Sequence, residues 1–224
     1  MIILPEIILF KVIDGVLNKL KADTKQHDEQ KTFLYRTMKG VSLREFDFYK
    51  QAKELLTREL DHPRQLEVRM FFDTERASLP TIHITLPSES EEGNGIGIDQ
   101  GYESDIIDGV QGKQYVQYNR MFRATYNIVV TSDNTFEVIM IHSLIKHMLL
   151  AMMDIIELNG LRNIKLGAQD IRMDSDIVPL NVFSRAVTIT FEYENAVPSF
   201  TEEDFVETLI FTGDPTLNNG SVVI

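Results

Sequence analysis

The chain has 224 residues, of which 43% are hydrophobic, and this is enough apolar material for one domain with a single buried core. Its formal net charge of −12 disfavours sequence-specific binding to nucleic acid and binding to anionic membranes, since no basic patch interrupts the acidic surplus. The absence of cysteine excludes disulfides, thiolate nucleophiles and cysteine-ligated metal sites. No apolar run approaches the roughly 20 residues of a membrane span, and the apolar start is a poor signal peptide because Pro5 and Glu6 interrupt it.

Residues 1–62 predict an N-terminal helical part. Apolar side chains at three- and four-residue spacing predict an amphipathic helix over residues 5–21, with Pro5 in its first turn. The polar run over residues 23–31 predicts a loop. A second helix is predicted over residues 45–60, and it ends before His62-Pro63 because the residue preceding a proline avoids helical geometry.

Residues 66–198 predict a core made of a sheet and one long helix. Alternating apolar and polar residues predict strands over residues 66–73, 81–86, 117–131, 164–173 and 182–193. The helix is predicted between the capping residues Ser132-Asp133-Asn134 and the terminating pair Asn159-Gly160. It is apolar on more than one face, so we expect the sheet to cover one side and the N-terminal helices or a neighbouring subunit to cover the other. In the last strand, Phe183, Val187, Ile189, Phe191 and Tyr193 are expected to face the core, and Ser184, Ala186, Thr188 and Thr190 to face away.

The predicted fold class is α+β, as a single domain over residues 1–224. We expect a mostly antiparallel, twisted sheet of about four or five strands, with the long central helix and the N-terminal helices packed on it. Pro80 and Pro87 are expected to lie outside the ladder of the strand between them.

Residues 88–113 differ from the rest of the chain. They hold seven acidic residues and six glycines, with no basic residue before Lys113. A loop of this length inside a compact domain is usually functional or disordered, and we interpret it as an extended acidic arm or hairpin. Residues 199–224 form a C-terminal tail, in which Thr201 is expected to cap a short helix and the final Val-Val-Ile is apolar.

Several motifs suggest chemistry only superficially. His142 and His147 are five residues apart on the predicted helix, which places them on different faces, whereas a metal-binding pair needs three or four. His83 lies opposite Ile82 and Ile84 on its strand and is expected to face solvent. Acidic residues flank the glycine-rich run over residues 93–97 and would repel a phosphate. We therefore predict no catalytic residue, no cofactor and no metal ligand.

Two sets of charged residues are candidates for an interface. Arg120 and Arg123 in the long strand, with Arg185 in the last strand, would form a small basic spot if the two strands pair; a role in solubility fits them equally well. The arm offers acidic candidates for a basic partner, namely Glu91, Glu92, Asp99, Glu103 and Asp105. With Asp108, the last three could instead bind calcium, although their spacing does not match an EF-hand loop.

Four segments carry a resemblance to a known family: ASLPTIHITLP, NRMFRATYNIVVTSDN, LGAQDI and FSRAVTITFEYENAVPSF. Their pattern and order, over roughly residues 66–198, resemble the tail-terminator proteins of tailed bacteriophages, which are also called tail-completion or tail-sheath-stabiliser proteins. The resemblance implies an α+β subunit that is not an enzyme. It also implies that six subunits form a ring that caps the tail tube and meets the head-side neck. The family has no short catalytic signature, so no functional residue carries over.

The leading hypothesis is a structural virion protein that forms a homo-oligomeric ring at the top of a phage tail. Its implied partners are copies of itself, a tail tube or sheath protein, and neck or connector proteins, in a virion that is assembled in the host cytoplasm. An alternative within the same class is a head-side neck or connector adaptor. From another class, an acidic soluble enzyme with a calcium-assisted site in residues 88–113 stays open.

Overall fold

The computed structural model describes residues 4–25, 28–59, 62–70, 79–92, 102–104, 115–171 and 182–198, the backbone alone at residues 102–104, 115–119 and 196–198. The chain divides into two compact units. The first comprises Met1–Ile2, Asn94–Arg120 and Asn195–Ile224, and the second comprises Ile3–Gly93 and Met121–Glu194. All helices among the described residues belong to the second unit.

The described residues of the N-terminal part contain three α-helices where two were predicted. Helix α1 (Pro5–Asp23) confirms the first prediction, and it buries Leu9, Ile13, Leu17 and Leu20. A single 3₁₀ turn (Glu29–Lys31) and the six-residue helix α2 (Phe33–Met38) follow. The hydroxyl of Thr32 caps α2 by accepting a hydrogen bond from the backbone N–H of Tyr35 at 3.3 Å. A helix this short shows too little periodicity to be recognised in a sequence.

A small hairpin leads into the third helix. Strands β1 (Ser42–Leu43) and β2 (Phe46–Asp47) pair antiparallel, and Asp47 caps helix α3 (Phe48–Thr57) by accepting from the N–H of Lys50 at 3.1 Å. Helix α3 is therefore shorter at both ends than the predicted helix over residues 45–60. Its buried residues are Phe48, Tyr49, Ala52, Leu55 and Leu56.

The main sheet is mixed, because one of its strand pairs is parallel. Its strand order is β3-β4-β6-β8-β7, with β5 paired to β6 outside this path. The strands are β3 (Glu67–Met70), β4 (Thr81–Glu91), β5 (Tyr102–Ser104), β6 (Tyr115–Ser132), β7 (Arg162–Asp170) and β8 (Phe183–Pro198). Strand β3 runs parallel to β4, whereas the pairs β4–β6, β5–β6 and β7–β8 are antiparallel. The α+β class itself is confirmed.

Strand β4 is longer than predicted because it continues through a proline. Pro87 was expected to bracket the strand and lie outside its ladder. It lies within the span of β4 but has no partner in the register, which shifts between Thr85 and Ser88. An irregularity of this kind tolerates a residue without a backbone N–H. Pairing then resumes and extends as far as Glu91, opposite Phe122. The first four residues of the predicted acidic arm thus belong to the sheet, and most of the arm lies outside the described residues.

The central helix is interrupted near its end. Helix α4 (Thr135–Ala151) is followed directly by the short helix α5 (Met153–Leu158), with Met152 at φ −105° and ψ 8° between them. Gly160 adopts φ +94°, as expected for a residue that terminates a helix in the left-handed region. Helices α1 and α3 both contact α4. As predicted from the wide apolar surface of α4, the N-terminal helices α1 and α3 cover the side that the sheet leaves open.

The described core lies within the second unit. Side chains of α4 such as Ile141 and Ile145 share one buried cluster with Ile128 of β6 and Ile189 of β8, together with the inner faces of α1 and α3. Val187, Phe191 and Tyr193 join this cluster as predicted. Among the described residues, no helix combines the length and the apolar character needed to cross a bilayer.

Candidate functional site

An open groove of about 710 Å³ lies beside the beginning of α4, within the second unit. We call it the α4 groove. Four apolar side chains line it, from three separate elements: Phe46 of β2, Phe136 and Met140 of α4, and Phe183 of β8. Four charged side chains complete the lining where α3 and the segment leading to β3 approach α4: Arg58, Arg64, Asp133 and Glu137. The groove thus combines an apolar wall with a charged floor.

The charged floor is a network centred on Arg64. Its guanidinium donates two hydrogen bonds to the Asp133 carboxylate, at 2.7 and 2.8 Å, and a third to Glu137 Oε2 at 2.8 Å. Glu137 is buried and also accepts a hydrogen bond from the hydroxyl of Ser132. Arg58 lies 3.9 Å from the other oxygen of Glu137 and donates to the backbone carbonyl of Arg64 at 2.8 Å. These contacts fasten residues 62–66 to the start of α4.

This network determines the protonation of the floor. The hydrogen bonds from Arg64 hold the pKa of Asp133 below its usual range, and the same contacts raise the pKa of the Arg64 guanidinium. A carboxylate with a lowered pKa stays ionised at neutral pH and is a poor general acid. Asp133 is therefore suited to holding Arg64 in place and unsuited to donating a proton to a substrate.

The amides at the N-terminus of α4 are also engaged. The side-chain oxygen of Asn134 accepts hydrogen bonds from the N–H groups of Phe136 and Glu137 at 2.9 and 3.4 Å. Free amides at a helix start would attract phosphate, but here a cap occupies them and two carboxylates stand beside them. The α4 groove is therefore a poor site for an anionic ligand.

The apolar wall is formed by aromatic rings that remain accessible. Phe46 and Phe136 are half-buried and pack against each other with ring centroids 5.7 Å apart. Phe183 was predicted to face the core, but it is 45% exposed. Phe183 is the first residue of β8, and it lines the open groove instead of joining the buried cluster. Sequence reasoning foresaw only the capping residues Asp133 and Asn134 here; the contribution of Phe46, Arg58, Arg64 and Glu137 had no local signal.

The predicted basic spot does not form from Arg123 and Arg185. Arg123 forms ion pairs with Glu92 and Glu192, each at 2.6 Å. Arg185 forms an ion pair with Asp170 near the start of β8, also at 2.6 Å. Alternation along the strands also places them on opposite faces of the sheet, since Ala124 and Val187 both face the core. Each arginine is therefore neutralised by its own partner.

The remaining interface candidates are placed only in part. Arg120 belongs to the first unit and is half-buried. Glu91 lies at the end of β4 and is exposed. Glu103 lies in β5, where only the backbone is described, and Asp99 and Asp105 lie outside the described residues. Their role as an interface stays a prediction.

The histidines differ in their surroundings. His83 was expected to face solvent, but it is 4% exposed, and its cross-strand partner Val129 is buried with it. His142 is buried against β8, whereas His147 is exposed, which agrees with their prediction on different faces of α4. Burial, and then the nearby Arg185, lowers the pKa of His142. Within the described part of the chain, no three metal-binding side chains come together.

Two tyrosines bind carboxylates on the helix-packed face of the sheet. The hydroxyl of Tyr126 donates to Glu6 Oε2 of α1 at 2.9 Å, and that of Tyr193 donates to Glu89 of β4. Burial, followed by these hydrogen bonds, raises the pKa of both phenols. The tyrosines are therefore neutral donors that attach the first turn of α1 and the second half of β4 to the core.

No family model matches the chain, and no curated protein matches it.

Proposed function

We propose that this chain is a structural subunit of a phage tail, a tail-terminator-like protein that forms a homo-oligomeric ring and joins the tail to the neck. The family named in this proposal comes from the resemblance of residues 66–198 to tail-terminator proteins. The observation that carries the proposal is the α4 groove, which has accessible aromatic rings and charges that are already paired with one another. Such a groove is suited to receiving another polypeptide and offers little to a reacting substrate.

The pairing of charges supports an assembly role. The two carboxylates of the groove are held by Arg64, and Asn134 caps the helix amides. A reaction centre needs a group whose protonation or nucleophilicity is free to change during the reaction. The accessible part of the groove, by contrast, consists of rings such as Phe183, and aromatic side chains are enriched in the centres of protein interfaces.

A second apolar surface lies on the helical layer. It consists of three exposed side chains, which we call the α5 surface: Leu150 at the end of α4, and Ile155 and Leu158 of α5. The exposed fraction of Leu158 reaches 86%. A head-to-tail contact between identical subunits uses two different patches on each copy and closes into a ring when the rotation allows. The α4 groove and the α5 surface are two such patches.

The proposal is tested by the mass of the purified full-length chain. Native mass spectrometry at micromolar concentration is expected to show a closed multiple of the 25.7 kDa subunit, which electron microscopy resolves as an annulus. Binding of that annulus to isolated tail tubes identifies a terminator, whereas binding only to head-side connectors identifies a neck adaptor. A chain that stays monomeric at these concentrations and binds neither structure contradicts the proposal.

Leu158→Asp examines the α5 surface in the same assay. A charge at this exposed position should leave the fold intact and weaken assembly at least about tenfold, because an interface centre disfavours unpaired charge. Leu86→Asp is the matched control, since Leu86 is also exposed but lies on β4. Equal assembly of the two variants would exclude α5 from the interface.

A further inference from the structure

The hairpin of β1 and β2 presents an exposed surface that is both apolar and basic. Val41 and Leu43 are exposed, and Leu43 lies directly opposite Phe46. Residues opposite each other in an antiparallel pair share one face, so the apolar face of the hairpin continues from the ring that lines the α4 groove. Lys39 and Arg44 flank the two aliphatic side chains and are exposed. We call Lys39, Val41, Leu43 and Arg44 the hairpin surface. Residues 36–50 hold four basic and two acidic residues on a chain of net charge −12.

The cations of the hairpin surface differ from those of the α4 groove. Within the described part of the chain, no ion pair reaches Lys39 or Arg44, whereas Arg64 is held by Asp133 at 2.7 Å. Lys39 instead lies over the ring of Tyr35, with Nζ 5.5 Å from the centroid. Arg44 has a left-handed backbone conformation, at φ +56°, which glycine and asparagine adopt more readily than arginine does. The hairpin therefore exposes a guanidinium that has no carboxylate partner of its own among these residues.

The α5 surface carries the opposite charge. Asp154 is four residues before Leu158 in α5 and so lies on the same face of that helix. Asp154 and Glu157 are exposed, and neither forms an ion pair with another described residue. The chain has no cation between Leu150 and Leu158, and Lys146 stands one turn before Leu150. The hairpin surface and the α5 surface are therefore complementary, because each combines aliphatic side chains with a charge that the other one lacks.

The two surfaces lie at opposite ends of α4. Phe46 of the hairpin packs against Phe136 in the first turn of α4, with ring centroids 5.7 Å apart. Helix α5 follows the last turn of α4, with only Met152 between them. The 17 residues of α4 separate the two surfaces by about 25 Å, at a rise of about 1.5 Å per residue. The hairpin surface of one copy is thus out of reach of its own α5 surface.

From these observations we infer that the α5 surface of one copy docks on the hairpin surface of a second copy, with Arg44 paired to Asp154. The leucines of both surfaces are buried in this contact. The inference rests on the proposed ring and names the residues of its head-to-tail contact. A copy that offers its hairpin surface to one neighbour keeps its α5 surface for another. Repeating the contact therefore closes a ring or extends a filament.

Charge reversal in the full-length chain tests the contact. Arg44→Glu places a carboxylate against Asp154, and Asp154→Arg places a guanidinium against Arg44. Each variant alone should therefore dissociate at least about tenfold more easily than the unaltered chain, because like charges across an interface repel. The chain that carries both substitutions has opposite charges across the contact again and should recover the assembly. Native mass spectrometry at a series of concentrations measures the assembly of each variant.

Lys19→Glu is the matched control, because it reverses an exposed charge on α1. It should assemble as the unaltered chain does, and its combination with Asp154→Arg should recover nothing. Circular dichroism checks that each variant folds. If Arg44→Glu does not fold, Leu43→Ser takes its place; it leaves the turn residue unaltered and should weaken assembly by removing an apolar contact.

Mixing the two single variants in equal amounts gives a second test. Asp154 of the Arg44→Glu chain meets Arg44 of the Asp154→Arg chain, and the next contact pairs the two substituted residues, whose charges are again opposite. The mixture should therefore assemble although neither variant does so alone. With one variant isotopically labelled, native mass spectrometry should show equal numbers of the two chains in each assembly.

The outcomes distinguish this inference from the function on which it rests. If the unaltered chain forms a ring and both single variants form it equally well, the docking contact is overturned and the ring stands. Loss of assembly in both single variants, without recovery in the double variant, also overturns the contact. Single variants that form the ring but no longer bind isolated tail tubes would mean that these surfaces receive another virion protein, which overturns docking between copies. A monomeric unaltered chain overturns the ring itself, and the contact with it.

Discussion

Glu137 illustrates how a single residue holds two elements together. Its carboxylate is buried, and it receives hydrogen bonds from Arg64 and Ser132 while Arg58 lies nearby. A buried carboxylate is tolerated only when such partners satisfy it. Without it, Arg64 would keep only Asp133 and Arg58 only the exposed Glu54 as a carboxylate partner, so the contact should contribute to stability more than an exposed ion pair does.

Replacing Glu137 with Ala should lower the free energy of unfolding by about 2–4 kcal/mol, because the arginines lose their buried partner. The cost stays below that of a wholly buried pair since the Arg64 side chain is 37% exposed. Urea denaturation, followed by circular dichroism, measures this loss in the free energy of unfolding. Glu54→Ala is the control, because exposed Glu54 lies 3.6 Å from Arg58 and its loss should cost less than about 1 kcal/mol. Similar losses in both variants would contradict the proposed importance of burial.

His142 should make stability depend on pH. Its folded-state pKa is lowered by burial and by Arg185, with Lys146 adding to this effect and Asp170 opposing it. The unfolded chain therefore binds the proton more readily, so stability is fully present above about pH 6.5 and is lost as the pH falls below that value.

His142→Gln should remove part of this dependence, because glutamine does not titrate. Thermal unfolding between pH 7.5 and 5.5 should show a smaller decrease in melting temperature for the variant than for the unaltered chain. His147→Gln, on the exposed side of the same helix, is the matched control. Parallel profiles for the unaltered chain and His142→Gln would mean that His142 is not the group responsible.

At the scale of elements, α4 organises the second unit. It starts at the Asn134 cap, contacts α1 and α3, and shares its buried residues with β6 and β8. Because both sides are covered, a substitution on either buried side disturbs two layers at once. The exposed residues of α4 lie at its start and in its second half, namely Thr135, Lys146, His147, Leu150 and Ala151.

Ile145→Asp should abolish cooperative unfolding of the second unit. Ile145 is buried, and an unpaired carboxylate there costs several kcal/mol, which is comparable to the whole stability of a domain of this size. Leu150→Asp, the same kind of change on the exposed side of α4, should cost less than about 1 kcal/mol. Near-ultraviolet circular dichroism and thermal melting compare the two variants. A wild-type melting temperature for Ile145→Asp would show that this face of α4 is not in the core.

At the scale of the molecule, the second unit has its own core. Every described member of the buried cluster lies within Ile3–Gly93 or Met121–Glu194. The acidic arm starts later than predicted, because Glu89 accepts a hydrogen bond from Tyr193 and Glu92 forms an ion pair with Arg123. An experiment on the arm therefore has to spare β4.

Deleting residues 94–112 should leave the thermal unfolding of the second unit nearly unchanged, because the deletion removes none of its described core residues. The same deletion should weaken assembly if the acidic arm contacts a neighbour. A deletion of residues 89–112 is the comparison: it should be clearly less stable, since it also removes the Glu89–Tyr193 hydrogen bond and the pairing of residues 89–91 with β6. A loss of folding in the shorter deletion would show that the arm is part of the second unit.

The amino-acid sequence by itself determined those features that depend on near neighbours along the chain. The α1 stripe, the Asn134 cap, the end at Gly160 and the alternation of Val187, Ile189 and Phe191 were all predicted. Each follows from helical or strand periodicity or from the geometry of one or two residues. The resemblance to tail terminators came from the order of these elements, and the ring remains a proposal.

Tertiary structure alone decided which distant residues meet. The parallel pairing of β3 with β4, the burial of His83 and the separation of Arg123 from Arg185 all depend on how strands are ordered and which face is covered. The α4 groove arises in the same way, because Phe46, Arg64 and Phe183 lie far apart in sequence and meet only after the sheet and α4 have packed. Contacts of this kind have no local periodicity, since their energy comes from burial and charge pairing between elements.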